Sequence, residues 1–292
     1  MKREEVQELV ERGITELNEA LAGGRSDRLQ EYLDVMARFP NYSFNNTILI
    51  CLQKPEATLI QGFHAWRKMG RTVKKGEKGI GIFAPLIYKS KKEEGKRSQQ
   101  STDDEKKGSE LRGFKVVHVF DVSQTEGEEL PEFASVSGDP GNSIAAVESI
   151  IRDAGIELLY EMIPGGALGV SRKGSIALRP DLDPARRLMT LVHEYAHECL
   201  HDSERRKSTT KTVRETEAEA VAHVVARALG LDSLEQSSDY IQLYRGDKEV
   251  LMKSLDAIQK TASAILDGIR KHSANEDSAP RVSTDCRKVV AT

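Results

Sequence analysis

His193-Glu194-Tyr195-Ala196-His197 sets two imidazoles four residues apart with a carboxylate beside the first. On an α-helix, residues i and i+4 lie about 40° apart around the axis and about 6 Å along it. Both rings can therefore converge on one ion. Glu194 is then placed to take a proton from a water held there. An HExxH pattern of this kind suits metal-assisted hydrolysis of a peptide bond. Seven histidines in 292 residues make a chance match rare, with about 0.02 expected for the motif as written.

Such a site needs a third protein ligand and an open position for water. His201 repeats the four-residue step. It lies about 12 Å along the axis from His193, too far for one ion to hold both on a straight helix. His201 is thus expected to support a ligand or to be exposed. Arg214-Glu-Thr-Glu-Ala-Glu-Ala-Val-Ala-His is the better source. Glu215, Glu219, Ala222 and Ala226 share one stripe, and the small residues around Glu219 permit a close helix approach. A carboxylate on that face is costly unless something positive meets it. Glu219 is the expected ligand. Glu217, which shares a stripe with Val221 and Val224, and Glu215 remain competitors. Zinc suits a His₂Glu set, and manganese or cobalt is not excluded by ligand type.

The elements that must carry these residues can be read from pattern. Asp183 and Pro184 read as the N-cap and first position of the metal-bearing helix. Leu188, Val192, Tyr195 and Cys199 form its apolar stripe. The acidic candidates fall on a helix from about Val213 to Leu229, stopped by Gly230. A further helix covers about Asp247–Lys271, and one spans Ser143–Ala154. Strands are expected around Glu157–Tyr160 and Ser175–Leu178. The second of these could serve as an edge for a substrate peptide or equally be an ordinary strand; the sequence does not decide.

The first half has a different character. Residues 36–120 carry a net charge of +9, which leaves −12 on the rest. A basic half beside an acidic half points to an anionic partner such as nucleic acid. Phe63, Trp66, Arg67, Arg71, Lys74, Lys75 and Lys78 mix aromatic and basic groups among flexible glycines. Tyr42 and Phe44 belong to a second aromatic-polar cluster. Rings that stack on unpaired bases, with cations on the backbone, hold single strands without reading sequence. The same rings would also suit the core of a small helical domain. No helix-turn-helix, zinc-finger or RNP pattern is present for duplex readout.

Helical spacing is clear in Val6–Leu21 and in Leu29–Met36, where Ser26 is placed to cap. Shorter helices fit Ser43–Gln53 and Gly62–Met69. Gly79–Tyr88 and Phe114–Phe120 read as paired strands. The polar stretch between them, about 89–113, cannot bury enough apolar area to order itself and is expected to be a mobile insertion. The acidic Pro/Gly/Ser-rich stretch 126–142 is expected to be a linker between a domain at 1–125 and a domain at 143–272. Residues 273–292 read as a flexible tail. The fold class is α+β with two domains. No run of eighteen apolar residues exists, so no membrane span or membrane partner is expected. The charged N-terminal stretch does not read as a signal peptide, which makes the cytoplasm the expected location. Three scattered cysteines without a CxxC give neither a disulfide framework nor a zinc ribbon.

FPNYSFNNTILICLQKPEATLIQGFHAWRKMGRTVKKGEKGIGIFAP and FKVVHVFDVSQTEGEEL resemble the N-terminal single-stranded-DNA-binding domain of ArdC-type antirestriction proteins. IALRPDLDPARRLMTLVHEYAHECLH and RETEAEAVAHVVARALG resemble their C-terminal metallopeptidase domain, itself similar to ImmA/IrrE and Spartan-type zinc peptidases. The likeness runs over most of residues 27–272. It implies a protein that binds single-stranded DNA and shields incoming mobile-element DNA from restriction. By family pattern the acidic ligand falls in Ala218-Glu219-Ala220. The resemblance also implies an HExxH zinc peptidase with His193, His197 and Glu219 on the metal and Glu194 as the catalytic base, acting on an unknown protein substrate. Two other readings stand beside it. One is a DNA-shielding protein whose metal site does no catalysis; the other is an ImmA-like peptidase that cleaves a repressor.

Overall fold

Val6, Val10, Ile14, Leu17 and Leu21 recur at helical spacing and line the buried face of α1 (Arg3–Ala22). The computed structural model describes residues 2–89, 109–130, 140–231 and 248–278. The chain divides into two units, Met1–Phe133 with Tyr244–Met252, and Ala134–Leu243 with Lys253–Thr292. A single cut at a linker is the simplest expectation from sequence. The division is instead discontinuous, because a short piece near the start of the last helix belongs to the first unit. Among the described residues no helix is long and apolar enough to cross a membrane.

In the first unit α1 is followed by α2 (Asp27–Arg38) and α3 (Phe44–Gln53). Ser26 stands at the N-cap of α2 but makes no capping hydrogen bond, since its backbone is already helical. Ser43 does cap α3, accepting from Asn46 N. Gly13 lets α1 lie against α3: a Cβ there would come within 2.7 Å of Leu52 and 2.9 Å of Ile48. Next come β1 (Ile60–Gly62), α4 (Phe63–Lys68), β2 (Arg71–Val73), β3 (Ile80–Lys89), β4 (Ser109–Asp121) and β5 (Thr125–Gly127). β1, β4 and β3 form one antiparallel sheet in that order, and β2 pairs with β5. Sequence pattern misses β1, β2 and β5, which at three residues each are too short to show alternation.

β3 and β4 reach further into the polar stretch than expected, up to the pair Lys89↔Ser109. Residues 90–108 of the expected insertion lie outside the described residues. A register shift after Leu86 leaves Arg112 as the extra residue of a bulge, and Gly113 beside it has φ +143°. β3 is the outer strand of its sheet, and two amides from α3 occupy its free edge. Asn46 Nδ2 donates to Phe83 O and its Oδ1 accepts from Phe83 N, both at 2.9 Å. Gln53 does the same for Gly81, at 3.0 and 2.9 Å. These bonds satisfy groups that would otherwise invite another strand.

The second unit opens with α5 (Pro140–Asp153), which begins before the expected Ser143. β6 (Glu157–Tyr160), β7 (Gly169–Ser171) and β8 (Ser175–Leu178) follow, then α6 (Pro184–Leu200), α7 (Ser203–Ser208) and α8 (Lys211–Ala228). α9 (Lys248–Ser278) continues past Lys271 into the segment expected as a tail, while 279–292 lie outside the described residues. Most of the 126–142 linker, residues 131–139, also lies outside them. β8 is the central strand of its sheet, parallel to β6 and antiparallel to β7. Of the two readings the sequence leaves open for it, an edge or an ordinary strand, the structure takes the second; β7 is at an edge of the sheet. Asp183 caps α6 by accepting from Arg186 N at 3.0 Å, with Pro184 at the first position. Ala218, Ala222 and Ala226 of α8, on the side that carries Glu215 and Glu219, are buried and let this helix pack closely on α6.

Trp66 is fully buried in the first unit, and its indole N–H donates to Phe120 O at 2.9 Å. Replacing it with alanine removes a large core side chain and should cost about 3–5 kcal/mol of stability. Urea unfolding monitored by circular dichroism would check this; a loss below about 1 kcal/mol would contradict the packing role.

Candidate metal centre

His193 and His197 sit one turn apart on the capped helix α6 and face α8. Their Nε2 atoms are 3.2 Å apart. Glu215 Oε2 lies 3.7 Å from the first and 3.5 Å from the second. A metal with four ligands at about 2.1 Å has about 3.4 Å between neighbouring ligand atoms. The two nitrogens and the carboxylate oxygen thus outline one face of such a tetrahedron, and the residues fit a divalent ion.

The carboxylate that completes the triangle is Glu215, not the expected Glu219. Both stand on the same stripe of α8, one turn apart, and only their depth along the helix separates them. Glu219 Oε2 is 3.3 Å from His193 Nδ1, the ring nitrogen turned away from the triangle. It can hold that ring by accepting a hydrogen bond from its N–H, as carboxylates behind metal-bound histidines do. Glu217 points elsewhere: it is wholly buried against His201 and Arg205. His201, far from being exposed, is also buried, with its Nδ1 2.9 Å from His197 Nδ1.

Charge reinforces the geometry. Burial works against a charged His193, but hydrogen bonds to Glu215 and Glu219 carry its imidazole up to about 9. The hydrogen bond from His193, with both imidazoles close by, holds Glu215 well below the usual carboxylate range. Glu194 follows the opposite course. It is 8% exposed, and burial raises its carboxyl above the ordinary value. It lines a cleft of about 410 Å³ with His193, Glu219, Met189, Ala222 and Leu168. β7 lies against α6 at this cleft, and Gly169 makes that possible. A Cβ there would fall 2.7 Å from Thr190 and 2.8 Å from the Glu194 side chain.

The expected nucleic-acid residues divide in the structure. Trp66 and Phe44 are core residues and have no free ring face to offer. Tyr42 is half-buried and edge-on to Phe39. Arg71 is turned inward, donating to Thr125 Oγ1 at 2.8 Å and to the carbonyls of Thr125 and Glu128. Lys74 is exposed and reaches Ser123 O. Arg67, Lys75 and Lys78 are exposed. Accessible aromatic surface lies on Phe63, one of the expected rings, and on Phe114, read only as part of a strand. Phe63 is 41% exposed, edge-on to His64 and Phe120, and Phe114 is 47% exposed. Alternation along β4 was the available signal, since Phe114, Val116, His118 and Phe120 share one side of the strand.

Glu215→Ala should abolish tight divalent-ion binding, whereas Glu219→Ala should weaken it by about 10–100-fold. Calorimetric titration with Zn(II) or Mn(II) would check this order, and the reverse order would return the ligand role to Glu219. Binding must also displace the proton from His193. Apparent affinity should therefore rise with pH up to about 9 and level off above it. Titrations between pH 6.5 and 9.5 would show the slope.

Residues 4–120 match the family described as the N-terminal domain of anti-restriction factor ArdC. Residues 151–253 match the IrrE N-terminal-like domain of the M78 peptidase family. An uncharacterised protein of Bacillus anthracis is 26% identical over 307 residues, covering 92% of this chain and 52% of its own. The chain thus spans about half the length of that curated relative. Among solved structures, the antirestriction ArdC protein from the R388 plasmid shares the fold. Its metal-free form aligns with a TM-score of 0.54 at 20% identity, covering 91% of this chain and 98% of its own. Its Mn(II)-bound form gives 0.52 at 18% identity over the same shares. An ArdC N-terminal domain followed on one chain by an IrrE-like domain makes this an ArdC-type protein.

Proposed function

We propose that this protein protects incoming mobile-element DNA from restriction in the cytoplasm, binding single-stranded DNA through its first unit and cleaving a protein with a zinc site in its second. The observation that carries the peptidase reading is the triangle of His193, His197 and Glu215 with Glu194 buried beside it. The N₂O donor set suits zinc, and it also suits manganese, the ion bound by the R388 ArdC protein. When bound, such an ion would supply the Lewis acidity that activates water and polarises a peptide carbonyl.

The chain's own residues do the rest. His193 and His197 present their Nε2 atoms, and Glu215 one oxygen. Glu194, with its proton affinity raised by burial, takes the proton of the attacking water and returns it to the leaving amine. β7 offers a free strand edge at the cleft, where an extended peptide can pair. Leu168, Met189 and Ala222 give the cleft an apolar side for a substrate side chain. Burial around Glu194 keeps bulk water from the transferred proton.

The DNA reading rests on the first unit. Arg67, Lys75 and Lys78 are exposed, and Phe63 offers an accessible ring on the same helix as Arg67. Cations on phosphates and rings on bases favour an unpaired strand over a duplex.

Glu194→Gln should keep its metal and lose proteolysis. Comparing it with the wild type in an assay of DNA protection separates the two alternatives. Equal protection would assign the effect to strand shielding, and lost protection would tie it to cleavage. Gly169→Val should likewise lower turnover while metal content stays high, because the new side chain displaces Glu194. Fluorescence titration with a labelled oligonucleotide should show a preference for single strands. Each removal of a phosphate-facing cation among Arg67, Lys75 and Lys78 should reduce the log–log salt slope by about 0.7. A slope near zero would overturn DNA binding.

A further inference from the structure

Glu217, His201 and Arg205 form a buried group that the catalytic scheme above does not use. The side chains of Glu217 and His201 have no exposed surface, and Arg205 is partly covered. His201 Nε2 is 3.0 Å from Glu217 Oε2, and His201 Nδ1 is 2.9 Å from His197 Nδ1. Arg205 Nη2 donates to Glu217 Oε1 at 2.5 Å, and Ser254 of α9 also bonds the same carboxylate.

An ionised carboxylate can only accept hydrogen bonds. The proton between Glu217 and His201 is therefore on His201 Nε2. Arg205 already balances the charge of Glu217, and a further buried positive charge would be uncompensated. His201 thus holds a single ring proton, and its Nδ1 is bare. A bare Nδ1 accepts, so His197 Nδ1 must be the donor. His197 then has its lone pair on Nε2, the atom that faces His193 Nε2 and Glu215. Each tautomer follows from the one behind it, and the direction is set by the carboxylate.

We propose that His201 and Glu217 are positioning residues, a two-step relay that fixes the tautomer and ring orientation of His197 so that Nε2 faces the metal. Arg205 anchors the far end. A carboxylate usually reaches a metal-bound histidine directly. Here a second imidazole spans the gap, which explains why His201 follows His197 at another four-residue step and is nevertheless not a ligand. This assignment rests on the metal-centre reading, and its test has an arm that needs no metal.

Ring ¹⁵N NMR of the metal-free wild type should show His197 protonated at Nδ1 and bare at Nε2, and His201 protonated at Nε2 and bare at Nδ1. The opposite tautomer at either ring would overturn the relay. Titration with Zn(II) or Mn(II) provides the second readout. His201→Leu should weaken affinity by about 10–100-fold. His201→Asn, whose Oδ1 can stand where Nδ1 stood, should recover most of that loss. A folded His201→Leu protein with wild-type affinity, or an Asn variant as weak as the Leu variant, would also overturn it. A wild type that takes up neither ion overturns the metal-centre reading alone, and the ring shifts still decide the relay.

Discussion

The close packing of α6 on α8 is the constraint from which the second unit's chemistry follows. Two histidines one turn apart can be supplied by any amphipathic helix. Bringing a carboxylate from another helix within 4 Å of both requires the helix axes to approach closely, and that requires small side chains between them. Buried Ala218, Ala222 and Ala226, spaced four residues apart along the side that carries Glu215 and Glu219, supply that spacing. Three acidic residues on α8 then find three different environments. Glu215 meets both imidazoles, Glu219 meets the back of His193, and Glu217 lies buried against His201 and Arg205. One helix therefore sets one carboxylate beside both imidazoles, one behind His193 and one in a buried ion pair.

The HExxH helix, its Asp183 cap and the acidic partner helix were all legible in sequence, because each depends on local spacing. The choice among Glu215, Glu217 and Glu219 was not. It turns on how far α8 is shifted along α6, a tertiary quantity that no 3.6-residue pattern encodes. The same limit explains His201. Its distance from His193 argues against direct ligation, but its burial depends on α7 and α8 folding back over it. β8 likewise reads as a good strand, yet only the pairing shows it to be central, with β7 on the edge.

In the first unit, composition announced a basic surface, and Arg67, Lys75 and Lys78 are exposed as that reading requires. Aromatic residues were harder to assign, because a ring that can stack and a ring that fills a core have the same sequence signature. Trp66 and Phe44 went to the core, whereas Phe63 and Phe114 stayed accessible. Asn46 and Gln53 show a similar ambiguity. In the sequence they are ordinary polar residues of a short helix. In the fold they complete the backbone hydrogen bonding of β3.

The paired ends of β3 and β4 also bear on how the two strands stay in register. Lys89 and Ser109 sit opposite each other, so the residues between them leave and return at one place. The two-stranded stem is held by its own ladder and by the amides on the outer edge of β3. The bonds along the stem therefore hold this pairing in register independently of what joins its two ends.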